Sequence, residues 1–207
     1  MPNLIQIYLA RHGETKWNLE QRIQGQLDSD LTQLGHRQAE KLAHQLAKLK
    51  VSHIFSSPLG RAKSTAHICR EINQTELTIS DALQERHFGQ WQQQTLSSLK
   101  SQVHFEQVFH QISDFSAPQG ETGITAAKRF KQGLTELINL AADQDKSHHK
   151  AYAVISHGDV MRCFLANINN SNKLNSTGKT QNAYSLFKNG KLIKLHFDRH
   201  NQMFTLC

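Results

Sequence analysis

The sequence predicts an α/β protein of three layers, α/β/α, with a mostly parallel central sheet and helices on both faces. Short apolar runs rich in β-branched and aromatic residues alternate with longer stretches of helical periodicity, which is the chain order of βα units around a parallel sheet. Hydrophobic residues are 38% and charged residues 20%, enough for a modest packed core. The 207 residues show no internal repeat and no interdomain linker, so a single domain over 1–207 is expected.

Leu4–Ala10 reads as the first strand, and Gly13–Asp30 as a polar loop. Leu31–Lys50 is helical. Leu34, Ala39, Leu42, Ala43, Leu46 and Leu49 recur at three- and four-residue steps, and Thr32 is the expected N-cap. Val51–Phe55 is a second strand. Ser57-Pro58 then reads as an N-cap and first helical position for a helix over Leu59–Ile72. Leu77–Ser80 is β-prone, Leu83–Gln94 a loop, Leu96–Phe115 mixed and partly helical, and Gly120–Gly123 a turn. Thr125–Ala142 is a long helix with Ala126, Phe130, Leu134, Leu137, Ile138 and Ala141 on one side. Ala151–Ile155 is a buried strand and Gly158–Ala166 the helix after it. Asn169–Thr180 is an Asn/Ser-rich loop. Asn189-Gly190 is a tight-turn signal joining Tyr184–Phe187 to Lys191–Phe197 as a hairpin.

Composition narrows the function. The formal net charge is +7, but Lys and Arg are spread along the chain and form no dense basic run. Aromatics are 7% without a stacking repeat, so a small anionic substrate fits and nucleic acid does not. No stretch approaches the roughly 18 apolar residues of a membrane helix. The opening apolar run lacks a basic flank and is short for a signal peptide, so no membrane partner and a cytoplasmic location are expected. Cys69, Cys163 and Cys207 are odd in number and lack a CxxC spacing. They read as reduced thiols, with neither a disulfide framework nor a zinc site. Nothing in the sequence specifies an oligomeric state.

Open α/β sheets bind ligands beyond the carboxyl ends of their strands, and three predicted strand ends carry polar groups. The first gives Arg11-His12-Gly13-Glu14. The second gives Ser56-Ser57-Pro58 and, one turn into its helix, Arg61. The late one gives Ser156-His157-Gly158, and Glu85 lies on a loop between. Arginines grip phosphate oxygens through two N–H groups. A neutral imidazole can attack phosphorus, a second histidine can donate to the equatorial oxygens, and a carboxylic acid can protonate the leaving oxygen. A cation in a first helical turn opposes the helix dipole, so Arg61 points to an anion close by.

Four blocks carry a family resemblance: "RHGETKWN" (Arg11–Asn18), "SSPLGRAKSTA" (Ser56–Ala66), "LQERHFGQW" (Leu83–Trp91) and "SHGDVMR" (Ser156–Arg162). In this order they resemble the histidine phosphatase superfamily, with its phosphoglycerate mutase-like fold, over Leu4 to about Phe197. The resemblance implies that His12 becomes a phosphohistidine. It also implies that Arg11, Arg61 and His157 build the phosphate pocket, joined by Gly158. Asn18 touches phosphate or substrate, and Glu85 is the acid and base. It implies no metal and no cofactor.

Two expectations follow for the site. The arginines should lower the pKa of His12, and a backbone carbonyl near Gly13 should fix its tautomer. Glu85 should be raised beside a phosphate dianion.

Within the resemblance, hydrolysis of a small phosphorylated metabolite is favoured, because the region around 92–119 has room for only a small cap. "ERHFG" (Glu85–Gly89) also looks like the acid loop of the mutases, so phosphoglycerate mutase-type transfer is the alternative. A non-catalytic binding module ranks below both. Gln92-Gln93-Gln94 follows Trp91 where phosphatases of the family often show glycine, and Gly120-Glu121-Thr122 stands where Gly-Glu-Ser is usual. α-Ribazole phosphate, phosphosugars, fructose 2,6-bisphosphate and generic monoesters all remain open as substrates.

Overall fold

The computed structural model describes residues 4–146, 150–169 and 187–207. Its strands are β1 (Leu4–Arg11), β2 (His53–Ser56), β3 (Glu76–Ile79), β4 (Ala151–Ser156), β5 (Leu192–Asp198) and β6 (Met203–Leu206). They form one sheet in the order β3-β2-β4-β1-β5-β6. β1 to β4 are mutually parallel, while β5 runs antiparallel to β1 and β6 antiparallel to β5.

The period of two along the strands sorts side chains to two faces. Ile5, Ile7 and Leu9 of β1 join Tyr152 and Val154 of β4 beneath α6 (Gly123–Gln144) and α7 (Gly158–Asn169). Tyr8 and Ala10 join Ala151, Ala153 and Ile155 beneath α2 (Gln33–Lys48) and α3 (Gly60–Asn73). The expected mostly parallel sheet with helices on both faces is therefore present. A third apolar cluster, with Ile23, Phe88, Trp91, Leu99, Phe105 and Phe109, lies over the loops. It is built around two short helices, α4 (Leu96–Leu99) and α5 (Phe105–His110).

α2 begins as expected, with Thr32 Oγ1 accepting from Gly35 N at 3.0 Å. α6 starts two residues early, at Gly123, because Thr122 rather than the turn caps it. The polar loop after β1 holds one short helix, α1 (Lys16–Leu19), closed by a Thr15–Asn18 capping box. The expected hairpin falls partly outside the described residues, since 184–186 are not among them. Its Asn189-Gly190 turn is present. β5 pairs with β1 and with β6, and β6 is a strand that the residue pattern did not announce.

The start of α3 differs from expectation in a way that matters. The N-cap is Leu59, which has no side chain to cap with, and Ser57 does not cap the helix. Asp28, from the loop after β1, supplies the acceptors. Its Oδ2 takes Gly60 N at 2.5 Å and its Oδ1 takes Arg61 N at 3.2 Å. A carboxylate from outside satisfies the orphan donors better than a local serine hydroxyl, and Ser57 is left for another partner. Among the described residues no helix is long and apolar enough to cross a membrane. Cys69 and Cys163 are buried free thiols, and burial pushes each up to about 12.

Candidate active site

Sheet register brings the three strand ends together. Arg11 at the end of β1 lies opposite Ser156 of β4, and Ser56 of β2 lies opposite Ile155. The pairing continues past the strands: His12 N donates to Ser156 O at 3.0 Å, and Ser57 N to Ile155 O at 3.1 Å. His12, Ser57 and His157 thus emerge side by side from adjacent parallel strands. Arg11, His12, Arg61, Glu85 and His157 are all buried.

His12 is held at both ring nitrogens. Nδ1 lies 2.7 Å from Gly13 O, and Arg61 Nε donates toward Nε2 at 3.2 Å. A carbonyl can only accept, so Nδ1 carries the proton and Nε2 keeps a bare lone pair. Burial first, then the charges of Arg61 and Arg11, hold the His12 pKa well below 6.5. The ring is neutral, and its Nε2 lone pair accepts from Arg61 on the cationic side.

The loop under this ring needs close backbone packing. Gly13 N donates to Thr65 Oγ1 of α3 at 3.0 Å, and the first turn of α2 presses against it. A Cβ at Gly35 would stand 2.1 Å from Glu14 O, and one at Gly13 only 2.4 Å from Gly35 O. Glu14 Oε1 accepts from Thr32 Oγ1, closing the same contact. From the other side the Asn189-Gly190 turn docks on the strand end. Asn189 Nδ2 donates to His12 O at 2.8 Å, and Gly190 N to Arg11 O at 3.3 Å.

Arg61 is preset. Beyond Nε, its Nη1 reaches Leu27 O at 2.7 Å and Asp28 Oδ1 at 2.9 Å, and Nη2 reaches Gly25 O at 2.7 Å. The anion that the sequence position of Arg61 called for is in part the protein's own Asp28. One Nη2 hydrogen remains for a ligand. Arg11 Nη1 donates to Phe187 O at 3.2 Å. Its guanidinium lies over Gly158, where a Cβ would come within 3.4 Å of Nε.

His157 sits with its ring centroid 5.3 Å from that of His12. Its Nε2 is 2.8 Å from Ser57 Oγ, and Ser57 Oγ also receives Leu59 N at 3.3 Å. The hydroxyl can hold that amide and still either donate to Nε2 or accept from it. Nδ1 is buried and has no partner among the described residues, so that nitrogen is open to a ligand. Burial, then Arg61, holds the pKa of His157 far below 6.5.

Glu85 closes the site against the start of α7. Its Oε1 accepts from Val160 N at 2.7 Å and Arg86 N at 2.9 Å, and its Oε2 from Asp159 N at 3.2 Å. Burial and then the neighbouring Asp159 charge raise its pKa above 4.5, against those amides and Arg61. For Asp159 burial works in the same direction, but Arg162 and Arg86 overcome it and hold this carboxylate ionised. The two acids are thus pushed apart, Asp159 toward its charged form and Glu85 toward its protonated form.

Asn18 Oδ1 accepts from Thr15 N at 3.1 Å within the capping box, which leaves its amide nitrogen as the donor for a ligand.

Asp28 and Arg86 enter the site without having been expected there, and Ser57, expected at its strand end, enters as the partner of His157. Arg86 is fully buried and donates to the carbonyls of Glu121, Val108 and Phe115 while pairing with Asp159. It joins the acid loop to α5 and to the start of α6. Arg129 braces the same loop through Ala82 O and Gln84 O, held by a two-pronged pair with Glu121. An arginine directly after an acid in an otherwise buried loop was the available signal for Arg86. For Asp28 it was an α3 start without an acidic residue of its own.

Residues 7–206 match the histidine phosphatase superfamily (branch 1). The chain is 33% identical to the probable phosphoglycerate mutase GpmB of Proteus mirabilis over 167 residues, which cover 80% of this chain and 75% of that one. It shares its fold with the mycobacterial glucosyl-3-phosphoglycerate phosphatase solved with VO3, at a TM-score of 0.80 and 24% identity over 98% of this chain and 97% of that one. The phosphoserine phosphatase of Entamoeba histolytica, solved with 3-phosphoglyceric acid, gives a TM-score of 0.71 and 26% identity over 98% and 94% of the two chains. Since the match runs from the first strand to the last, the chain belongs to branch 1 of the histidine phosphatase superfamily.

Proposed function

We propose that the protein hydrolyses a small phosphomonoester through a phosphohistidine on His12. The observation that carries this reading is the pair of contacts on one ring, with Nδ1 tied to Gly13 O at 2.7 Å and Nε2 facing Arg61 at 3.2 Å inside a buried cationic cup. A phosphoryl oxygen enters between them. Arg61 Nε transfers its hydrogen bond from His12 to that oxygen and releases the lone pair for attack. Arg11 and His157 Nδ1 bind the remaining oxygens, with the amide nitrogen of Asn18 and the backbone at Gly158 at the rim. Most of the barrier to phosphoryl transfer is positional and electrostatic, so these donors supply the larger share of the catalysis.

In the first step the His12 Nε2–P bond forms and the P–O ester bond breaks. Glu85 gives its proton to the departing alkoxide. In the second, ionised Glu85 takes a proton from water, the water oxygen bonds to phosphorus, and the N–P bond breaks. Inorganic phosphate and neutral His12 are restored.

Mutase-type transfer is the second reading, supported by the names of the curated relatives and by the Glu85–Gly89 loop. Hydrolysis is favoured because two short helices, α4 and α5, are all that rises between the acid loop and α6, a small cover against water. A panel of phosphomonoesters, assayed without added metal and beside 3-phosphoglycerate primed with its bisphosphate, separates the two. Net phosphate release, with a phosphoenzyme that disappears in His12→Ala, is the expected result. Turnover by His12→Ala above a trace would remove the nucleophile assignment, and efficient isomerisation with little phosphate release would reverse the order of the two readings.

A further inference from the structure

The three glutamines after Trp91 mark where this chain departs from the phosphatases it resembles, and the first of them has a definite job. Gln92 Oε1 accepts from Gln26 N at 2.9 Å and from Phe88 N at 3.3 Å. Both partners are donors, so the atom between them is the oxygen and the amide has only one orientation. Gln26 belongs to the turn that holds Arg61, and Phe88 to the loop that carries Glu85. One side-chain oxygen therefore fastens together the two loops that position the phosphate grip and the proton donor.

The surrounding contacts reinforce this fastening. Gly25 is left-handed (φ +54°), and a Cβ there would lie 2.2 Å from Gln92 Oε1, so the turn passes directly under the clamp. Gly25 O is the acceptor for Arg61 Nη2. Gln26 Nε2 donates to Glu85 O at 3.1 Å, a second link between the same loops. Gln93 N donates to Ile23 O at 2.8 Å, and Ile23 N to Gln94 O at 2.9 Å. Gln93 takes a left-handed φ of 70° to make this possible.

We propose that Gln92 is a positioning residue that fixes the separation of Arg61 and Glu85 before substrate arrives. The inference rests on the hydrolase reading above. Gln92 touches neither reacting group. It acts through Gly25 and Gln26 on one side and the acid loop on the other. Misplacement of about 1 Å at a reacting geometry costs on the order of a hundredfold, so loosening this clamp acts on turnover more than on folding.

The test uses the full chain with Gln92→Met, which keeps length and loses the acceptor, and Gln92→Glu, which keeps it. Each is assayed on an alkyl phosphomonoester, whose leaving group needs a proton, and on p-nitrophenyl phosphate, whose leaving group does not. Rates are expressed per phosphorylatable site. The methionine variant is expected to lose about 10- to 100-fold in kcat/KM on the alkyl ester and distinctly less on p-nitrophenyl phosphate. The glutamate variant should recover most of that loss and carry the alkaline limb of its pH profile to higher pH, because its charge sits near Glu85.

Gln26→Met, which cuts only the link to Glu85 O, should lower the alkyl rate alone, and it serves as well if Gln92→Met folds poorly. Equal losses on both substrates without rescue by glutamate, or no loss in either methionine variant, would overturn the proposal. Persistence of turnover in His12→Ala is a separate outcome, and it sinks the hydrolase reading whatever the glutamine variants do.

Discussion

At the scale of residues, two buried titratable groups are displaced in opposite directions. His12 is kept neutral by burial and two guanidinium groups, and Glu85 is pushed toward its protonated form by burial and Asp159. The reaction proposed here needs a neutral His12 and a protonated Glu85. The acid limb of kcat/KM should therefore fall below pH 6.5, where His12 gains its proton, and the alkaline limb should follow the loss of the Glu85 proton above 4.5. Glu85→Gln should lose about 10²- to 10⁴-fold on an alkyl monoester, lose far less on p-nitrophenyl phosphate, and show no alkaline limb. An equal loss on both substrates would exclude Glu85 as proton donor.

The members of this set were visible in the chain because each follows a strand or sits in one of the four family blocks. The backbone carbonyl expected to fix the His12 tautomer is that of Gly13, but the pairing of His157 with Ser57 was not visible. Ser57 was misread as a helix cap because a serine before a proline has that meaning locally. Its actual partner lies 100 positions away along the chain.

At the scale of elements, α2 is as much a part of the site as the strand ends. Gly35 in its first turn lets the helix lie against Glu14 and so supports the loop that carries His12 and Gly13. In an ordinary helical position Gly→Ala stabilises by up to about 1 kcal/mol. Here the added methyl meets backbone rather than a movable side chain, and overpacking of this kind costs about 1–3 kcal/mol. Gly35→Ala should therefore lower the unfolding free energy, measured by denaturant titration, and reduce activity as the His12 loop shifts. A gain in stability would show that the contact yields easily.

Helix periodicity located α2, α3 and α6 to within a few residues, because one apolar face of each is buried against the sheet. It missed β6, which has one buried residue, Phe204, too little for alternation to register. It also missed α1, whose four residues include none that is buried.

At the scale of the molecule, the site draws on stability. His12 and His157 are buried neutral, with folded pKa values below the unfolded 6.5. As pH falls below 6.5 the unfolded chain binds these protons and the folded chain does not, so stability is lost toward the folded pKa values. The slope is at most about 1.4 kcal/mol per pH unit for each group. Glu85, raised above 4.5, works the other way. It contributes stability below 4.5 that is lost as pH rises through its folded value. Replacing His157 by Gln isolates the histidine part. Between pH 7 and pH 5, thermal melts in phosphate-free buffer should show a smaller drop for His157→Gln than for the wild type. Parallel curves for the two proteins would mean that His157 is not buried neutral.

From the residues alone came the layered α/β plan, the ends of β1, β2 and β4 as the candidate site, and the kinds of residue gathered there. Apolar periodicity and strand-end chemistry are local properties, and local properties can be read from neighbours in the chain. The packed molecule added what holds each imidazole, how the two neighbouring carboxylates are pushed apart, and which loops hold Arg61 in place. Those outcomes depend on burial and on hydrogen bonds between segments tens of residues apart, such as Asp28 with Arg61, Gln92 with Gln26 and Glu85 with Val160. No single stretch of sequence contains both partners of any of them.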